Sequence, residues 1–102
     1  MDKKERSMIL EDALKLYGQD IQFDIAIEEM AELTKAIIKH KRFPSTYPAR
    51  DIIEEAVDVY IMIRQIFKMW DGIFEDTVDQ QLDFKLERLK NRIKIDNEIS
   101  TD

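Results

Sequence analysis

Two acidic clusters carry the residues of this chain whose types and spacing could do chemistry. The first runs from Glu28 to Glu32 and the second from Glu54 to Asp58. In each cluster two carboxylates stand three residues apart, so both project from the same face of a helix. Like charges at this spacing repel each other and destabilise an isolated helix. We therefore expect a cation to lie between the two pairs.

The two clusters are separated by a length of chain that suits a helical hairpin, in which they would face each other. Glu28 and Glu54 lie about 100° away from their neighbours around each helix, and either join the site or face solvent. The carboxylates expected to point inward are Glu29, Glu32, Glu55 and Asp58.

Asp58 is the most informative of the four, because Val57 and Val59 flank it and Ile61 and Met62 occupy the next turn. An unpaired carboxylate buried there would cost several kcal/mol or stay protonated. No lysine or arginine lies at its helical neighbours. A site with oxygen ligands only suits hard cations, first Mg²⁺ and then Mn²⁺. Since Mg²⁺ also binds substrate phosphates, the pattern indicates a phosphate-handling site.

Two other interpretations compete with the metal site. A single glutamate on a helix usually faces solvent, although this is a weaker account of two matched pairs in apolar surroundings. A di-iron carboxylate bundle would need Glu-x-x-His pairs. Neither cluster contains a histidine, and His40, the only one in the chain, is not at that spacing.

The elements that must position these residues are four helices joined by short loops. Gly18, the loop from Phe43 to Ala49 and Asp71-Gly72 separate them, because glycine and proline end helices. Residues 98–102 are expected to fray. The predicted helices run from about Lys4 to Tyr17, Asp20 to Lys41, Asp51 to Trp70 and Glu75 to Asn97.

Short connections favour antiparallel neighbours, so we expect an all-α, four-helix bundle-like domain. One domain should span residues 1–102, with a core from about residue 4 to 97. The third helix is apolar almost all round between Ala56 and Ile63, which indicates burial on more than one side. In a chain of 102 residues this favours a homodimer or homotetramer.

Composition excludes several classes of function. The net charge is −6 and no strongly basic block is present, so non-specific binding to nucleic acid is not expected. The absence of cysteine excludes disulfides and thiolate metal sites. No apolar run approaches the roughly 18 residues of a membrane span, and the N-terminus lacks a signal-peptide core. We therefore expect a soluble cytoplasmic protein without membrane partners.

The segment Glu28-Glu-Met-Ala-Glu-Leu33, followed by Glu54-Glu-Ala-Val-Asp-Val59, resembles the ExxE…ExxD signature of the all-α nucleoside triphosphate pyrophosphohydrolases. The chain is most similar to their short, single-domain MazG-like members, over about residues 17 to 93. The resemblance implies Mg²⁺-dependent cleavage of a nucleoside triphosphate to a monophosphate and pyrophosphate. It also implies that the four inward carboxylates hold one or more Mg²⁺ ions, with Glu29 or Glu32 able to take the proton of water.

The resemblance further suggests substrate contacts outside the acidic clusters. Basic residues in the family's last helix resemble phosphate contacts, and Lys85, Arg88 and Arg92 form one stripe at i, i+3 and i+7. Gln22 and Phe23 stand where family members recognise the base, the first to read its edge and the second to stack on it. Solvent-exposed charge and ordinary packing are the alternatives for these residues.

Other aspects of function stay open at this stage. The chain has one domain rather than the tandem pair of larger relatives, and the metal motif does not fix which nucleotide is cleaved. Family members range from broad clearing of the nucleotide pool to a preference for dUTP or dCTP, with a related branch acting on phosphoribosyl-ATP. A non-enzymatic alternative is a helical regulatory or assembly module whose apolar third helix binds a partner.

Overall fold

The computed structural model describes residues 1–74 and 76–100, and within them every regular element is a helix. This confirms the expected all-α fold. The predicted first residue of the last helix, Glu75, lies outside the described residues. The helices are α1 (Lys3–Tyr17), α2 (Gln19–Arg42), α3 (Ala49–Met69) and α4 (Val78–Ser100).

Gly18 separates α1 from α2, as its residue type predicts. Its φ of 86° lies in the left-handed region that glycine adopts without a steric penalty. The N–H of Gly18 donates to the carbonyl of Leu14 at 3.0 Å and closes the last turn of α1. At the other end of α1, Asp2 accepts a hydrogen bond of 2.8 Å from the N–H of Glu5, which is a typical N-terminal cap.

The loop between α2 and α3 is short and is held by several hydrogen bonds. Phe43 ends α2, and its carbonyl accepts from the N–H groups of Thr46 and Tyr47 at 3.1 and 3.0 Å. His40 Nδ1 lies 2.7 Å from the carbonyl oxygen of Tyr47. Because a carbonyl can only accept, Nδ1 of His40 must carry the proton. Pro48 then precedes the first residue of α3.

The first compact unit comprises residues 1–70, and its helix packing fits a bundle. The most extensive contact is between α2 and α3, and α1 packs on both. Lys68 of α3 ties α1 in place by donating to Ser7 Oγ at 2.6 Å and to Glu11 Oε1 at 3.3 Å. The buried apolar side chains of the described residues are Leu10, Ala26, Val59 and Met62.

The core of this unit is small, because much of the apolar surface of α3 remains exposed. Val57 is 50% exposed and Ile61 is 41% exposed, whereas Val59 and Met62 are buried. The helix therefore presents one apolar face to α1 and α2 and a second apolar face to its surroundings. The chain itself buries α3 on one side only, and burial of the second face by another subunit stays a prediction.

A second compact unit begins at Asp71 and contains α4. Two reciprocal hydrogen bonds cap the start of α4. The N–H of Thr77 donates to Gln80 Oε1 at 2.8 Å, and the N–H of Gln80 donates to Thr77 Oγ1 at 3.1 Å. This is a capping box. The prediction of a frayed tail is wrong for residues 98–100, since α4 continues to Ser100, whose hydroxyl donates to the carbonyl of Asp96. Residues 101 and 102 lie outside the described residues.

All described residues of α4 are exposed, including the apolar seam of Val78, Leu82, Leu86, Leu89 and Ile93. The expectation of a single domain over the whole chain stays a prediction. Within the described ranges, none of the helices combines the length and apolar character that crossing a membrane requires.

Candidate metal centre

Three of the predicted carboxylates converge on one point between α2 and α3. Glu29 comes from α2, and Glu55 and Asp58 come from one face of α3, three residues apart. Each offers one oxygen atom, and these oxygens all lie within 4.8 Å of one another. We call this group the acidic triad. Glu29 and Glu55 are half-buried and Asp58 is exposed.

Side-chain contacts along α2 and α3 hold the two helices together on both sides of the triad. On one side, the buried Gln22 donates through Nε2 to Gln65 Oε1. On the other, His40 binds the carbonyl of Tyr47 in the connecting loop. Ala26, one turn before Glu29 and 3% exposed, is small enough for the helices to approach closely. Hydrogen bonds thus tie α2 to α3 on one side of the triad and to the connecting loop on the other.

The electrostatics of the triad are unfavourable without a cation. Burial raises the pKa of Glu29 above its ordinary value, and the charges of Asp58 and Glu55 raise it further, with smaller effects from Glu28 and Glu32. Within residues 1–74 and 76–100, no ion pair or hydrogen bond joins a member of the triad to a cationic side chain. The fold therefore holds negative charges together that it does not itself neutralise.

The donor set fits a hard divalent cation. All three donors are carboxylate oxygens, which Mg²⁺, Mn²⁺ and Ca²⁺ prefer over sulfur ligands. These oxygens all lie within 4.8 Å of one another, so the three side chains would be able to hold one such cation between them. Three protein ligands also leave positions for water or phosphate oxygens.

Glu32, the fourth predicted ligand, is not part of the triad. It is exposed and lines an adjacent pocket of about 230 Å³ that also includes Glu55. We call this space the lysine pocket. Its other lining side chains include Lys35, Lys39, Tyr47 and Asp51.

The two carboxylates whose orientation the sequence left open both face solvent. Glu28 and Glu54 are exposed, and Glu54 pairs with Arg50 at 3.2 Å on the surface of α3. Neither belongs to the triad. Glu54 therefore provides a natural control for its neighbour Glu55.

The expectation that Asp58 is buried among apolar residues is wrong for the isolated chain, in which Asp58 is exposed. Its apolar neighbours divide between two faces of α3. Val59 and Met62 point into the core, whereas Val57 and Ile61 lie on the uncovered face. Asp58 lies between these faces, so the apolar sequence around it does not translate into burial by its own chain.

The residues predicted to contact the base are engaged in packing. Gln22 is 3% exposed and hydrogen-bonded to Gln65, while its Oε1 atom has no hydrogen-bond partner in the described residues. Phe23 stacks on Trp70, with ring centroids 5.7 Å apart and an interplanar angle of 28°. The roles of Gln22 and Phe23 in substrate binding stay predictions. A base would have to approach Gln22 in its buried position and Phe23 in its stack on Trp70.

The predicted basic stripe is present on α4. Lys85, Arg88 and Arg92 line one groove together with Leu89. Arg88 also lies over the ring of Phe84, with its guanidinium carbon 5.9 Å from the centroid, and Arg92 lies 3.9 Å from Asp96. Both arginines thus have partners on their own helix, and a phosphate role for the stripe stays a prediction.

Sequence reasoning missed Tyr47 and Asp51 as residues beside the site. Lys39 extends over the ring of Tyr47, with Nζ 5.2 Å from the centroid. Tyr47 and Asp51 both line the lysine pocket. The available signal was an aromatic residue between two prolines, immediately before the helix that carries Glu55 and Asp58. Such a residue is held close to the first turn of that helix.

Comparison of the chain with protein-family models, with curated proteins and with solved structures gave no match.

Proposed function

We propose that this protein is a Mg²⁺-dependent nucleoside triphosphate pyrophosphohydrolase similar to the short MazG-like enzymes. The observation that carries the proposal is the acidic triad, in which Glu29, Glu55 and Asp58 bring three carboxylate oxygens within 4.8 Å of one another. The ExxE…ExxD pattern of the sequence supports the same assignment. An uncompensated cluster of this kind is explained if a divalent cation and a polyphosphate bind there.

The proposed reaction is hydrolysis at the α-phosphorus. The oxygen of a water molecule forms a bond to this phosphorus while the bond to the α,β-bridging oxygen breaks. The bond's electron pair leaves with pyrophosphate, and the proton of water passes to a carboxylate. A bound Mg²⁺ would supply charge neutralisation for the phosphates and would lower the pKa of water.

The chain's own residues have separate tasks in this proposal. Glu29, Glu55 and Asp58 hold the cation. Glu32 lies one turn from Glu29 but outside the triad, so its carboxylate is free to accept the proton of water. Glu29 is the alternative base, because it lies one turn from Glu32 on the same face of α2.

The proposal includes the arrangement and association of the helices. Gln22, near the start of α2, bonds Gln65, near the end of α3, whereas Glu29 and Asp58 meet near the middle of both helices. The paired positions therefore move in opposite directions along the two helices, which supports an antiparallel hairpin. The exposed apolar face of α3, represented by Val57 and Ile61, supports a homodimer or homotetramer, since association would cover it.

The direct test is pyrophosphate release from a panel of canonical and modified (d)NTPs with Mg²⁺. We expect Glu55→Gln and Asp58→Asn each to abolish turnover while preserving helicity by circular dichroism. Glu54→Gln is the matched control, because Glu54 is the adjacent acid on α3 and faces solvent. Absence of release from every nucleotide at micromolar enzyme would refute the proposal.

A second candidate function is a non-catalytic helical assembly module. It is favoured by the exposed apolar surface of α3 and by α4, whose described residues are all exposed. This candidate requires no cation, so calorimetry should then detect no Mg²⁺ binding. It also predicts that substitutions in the acidic triad leave partner binding unchanged.

A further inference from the structure

The lysine pocket lies directly beside the acidic triad, because Glu55 belongs to both. Its volume of about 230 Å³ is below the roughly 300–1,000 Å³ of pockets that enclose a drug-sized molecule. The pocket therefore suits a compact group rather than a whole nucleotide. A ligand bound at the triad could extend into it without leaving the protein surface.

Two lysines give the pocket its chemistry. Lys35 and Lys39 are four residues apart on α2, so their side chains project from one face, and both line the pocket. Ammonium groups with three donors each bind phosphate oxygens well. The alternative role of these lysines is to complement the negative C-terminal end of the α2 dipole. That role would require only positive charge near the end of the helix, and not a pocket shared with a carboxylate of the triad.

Tyr47 holds one of these lysines in place. Lys39 Nζ lies 5.2 Å from the centroid of the Tyr47 ring, a cation–π distance. The carbonyl of the same Tyr47 accepts the proton of His40 Nδ1 at 2.7 Å. The backbone of Tyr47 is thus tied to His40, the residue next to Lys39 on α2. The half-buried Lys39 lies against the Tyr47 ring beside the pocket rather than extending into solvent.

The charges of the pocket determine when an anion can bind. Against Lys35 and Lys39 stand the carboxylates of Glu32, Asp51 and Glu55. An anion alone would meet this negative excess, whereas a divalent cation bound at the triad would offset most of the negative charge of the pocket and the triad together. Binding of the anion and of the cation should therefore favour each other, and this coupling is reciprocal.

We propose that the lysine pocket binds the diphosphate part of a nucleotide substrate, the part released as pyrophosphate, with Lys35 and Lys39 donating to its oxygens and Tyr47 positioning Lys39. The inference rests on the proposed function for the identity of the ligand. It adds a specific leaving-group site, built from residues outside the acidic triad.

The test is titration calorimetry with inorganic pyrophosphate at saturating Mg²⁺, using the full chain, with inorganic phosphate as the comparison ligand. We expect Lys35→Gln and Lys39→Gln each to weaken pyrophosphate binding by about tenfold or more, the effect of losing a hydrogen bond to a charged group. Lys41→Gln removes the same charge from the same end of α2 outside the pocket and should have little effect. Inorganic phosphate should bind more weakly than pyrophosphate.

Tyr47 is tested as a positioning residue by a pair of variants. Tyr47→Leu removes the ring beneath Lys39 and should weaken pyrophosphate binding, whereas Tyr47→Phe keeps the ring and should retain it. Mg²⁺ binding measured without pyrophosphate should be the same in both variants, because neither changes the acidic triad. A general loss of structure would instead change both affinities together.

The outcomes separate this inference from the proposed function. If Mg²⁺ binds but Lys35→Gln and Lys39→Gln behave as Lys41→Gln does, the leaving-group site is refuted and the metal centre stands. If pyrophosphate does not bind to the wild-type chain at millimolar concentration with Mg²⁺, the inference is refuted. If pyrophosphate binds through Lys39 while no Mg²⁺ binding is detected, the lysine pocket stands as a phosphate site, but its coupling to a cation and the metal-dependent function are both refuted.

Discussion

Gln22 of α2 and Gln65 of α3 form a hydrogen bond inside the apolar core, where each residue is only 3% exposed. Gln65 also directs its Nε2 atom toward Met62 Sδ at 3.7 Å, a weak interaction. The pair is the only polar contact between buried side chains of different helices in residues 1–74 and 76–100. It links the two helices that supply the acidic triad, and each amide depends on the other.

Replacing one glutamine of this pair should destabilise the fold, because the other glutamine then stays buried without its partner. Gln65→Leu leaves the amide nitrogen of Gln22 buried without a partner, and we expect a loss of about 1–3 kcal/mol in the free energy of unfolding. Gln22→Leu should have a similar effect. The double variant should lose less than the sum, because both polar groups are then gone. Urea denaturation of the four proteins measures this, and additive losses would contradict the interpretation.

Mg²⁺ should stabilise the native chain against heat. A ligand that binds only the native state at 100 times its dissociation constant adds about 2.7 kcal/mol, which corresponds to a rise of about 10 °C in the Tm of a domain this size. We expect Glu55→Gln and Asp58→Asn to lose most of this rise. Glu54→Gln should keep it, and EDTA should reverse it. An equal rise in Tm for the wild type and all three variants would indicate a cation site elsewhere.

Stability without metal should depend on pH through Glu29. Its pKa is raised in the folded chain, so the unfolded chain loses its proton at lower pH than the folded chain. The stabilisation from protonated Glu29 is fully present below its ordinary pKa of 4.5 and is lost as pH rises through the raised value. In EDTA, we therefore expect Glu29→Gln to be more stable than wild type near neutral pH.

The measurement for Glu29 is the difference in Tm between the variant and the wild type across a pH series. The difference should be positive at neutral pH, by about 2 °C if the relieved repulsion resembles that of like charges on a helix, and should shrink toward pH 4.5. With saturating Mg²⁺ the order should reverse, since the variant loses a ligand. A difference that grows as pH falls would contradict this assignment.

The exposed face of α3 should mediate self-association. We expect Val57→Glu and Ile61→Glu to shift the chain toward monomer in size-exclusion chromatography with light scattering, because each places a charge on a face that association would cover. Leu16→Glu, a similar change at an exposed site on α1, is the control. A wild-type chain that is already monomeric at micromolar concentration would remove the argument for association.

The fold and much of the site could be predicted from local sequence. Gly18 and the two prolines of the loop interrupt apolar periodicity strongly enough to locate the helix boundaries within three residues. The spacing of Glu55 and Asp58 on one helix face is fixed by helical geometry. The approach of Glu29 to this pair followed from the length of chain between the clusters.

The sequence could not determine which acids meet. Glu29 and Glu32 have the same spacing as Glu55 and Asp58, yet only Glu29 joins the triad. The rotation of α2 about its axis decides this, and Gln22 and Ala26 are the residues of α2 that lie buried in this orientation. The burial of Gln22 could not be predicted either, because a glutamine in a helix usually faces solvent.

The small core of the first unit has a consequence for the lifetime of the protein. In its described residues, four apolar side chains are buried, so the unassociated chain should open often enough for its backbone amides to exchange with solvent and for proteases to cut it. If association covers α3, newly made chains become resistant to degradation only after they find one another. The amount of protein maintained would then rise more steeply than its rate of synthesis.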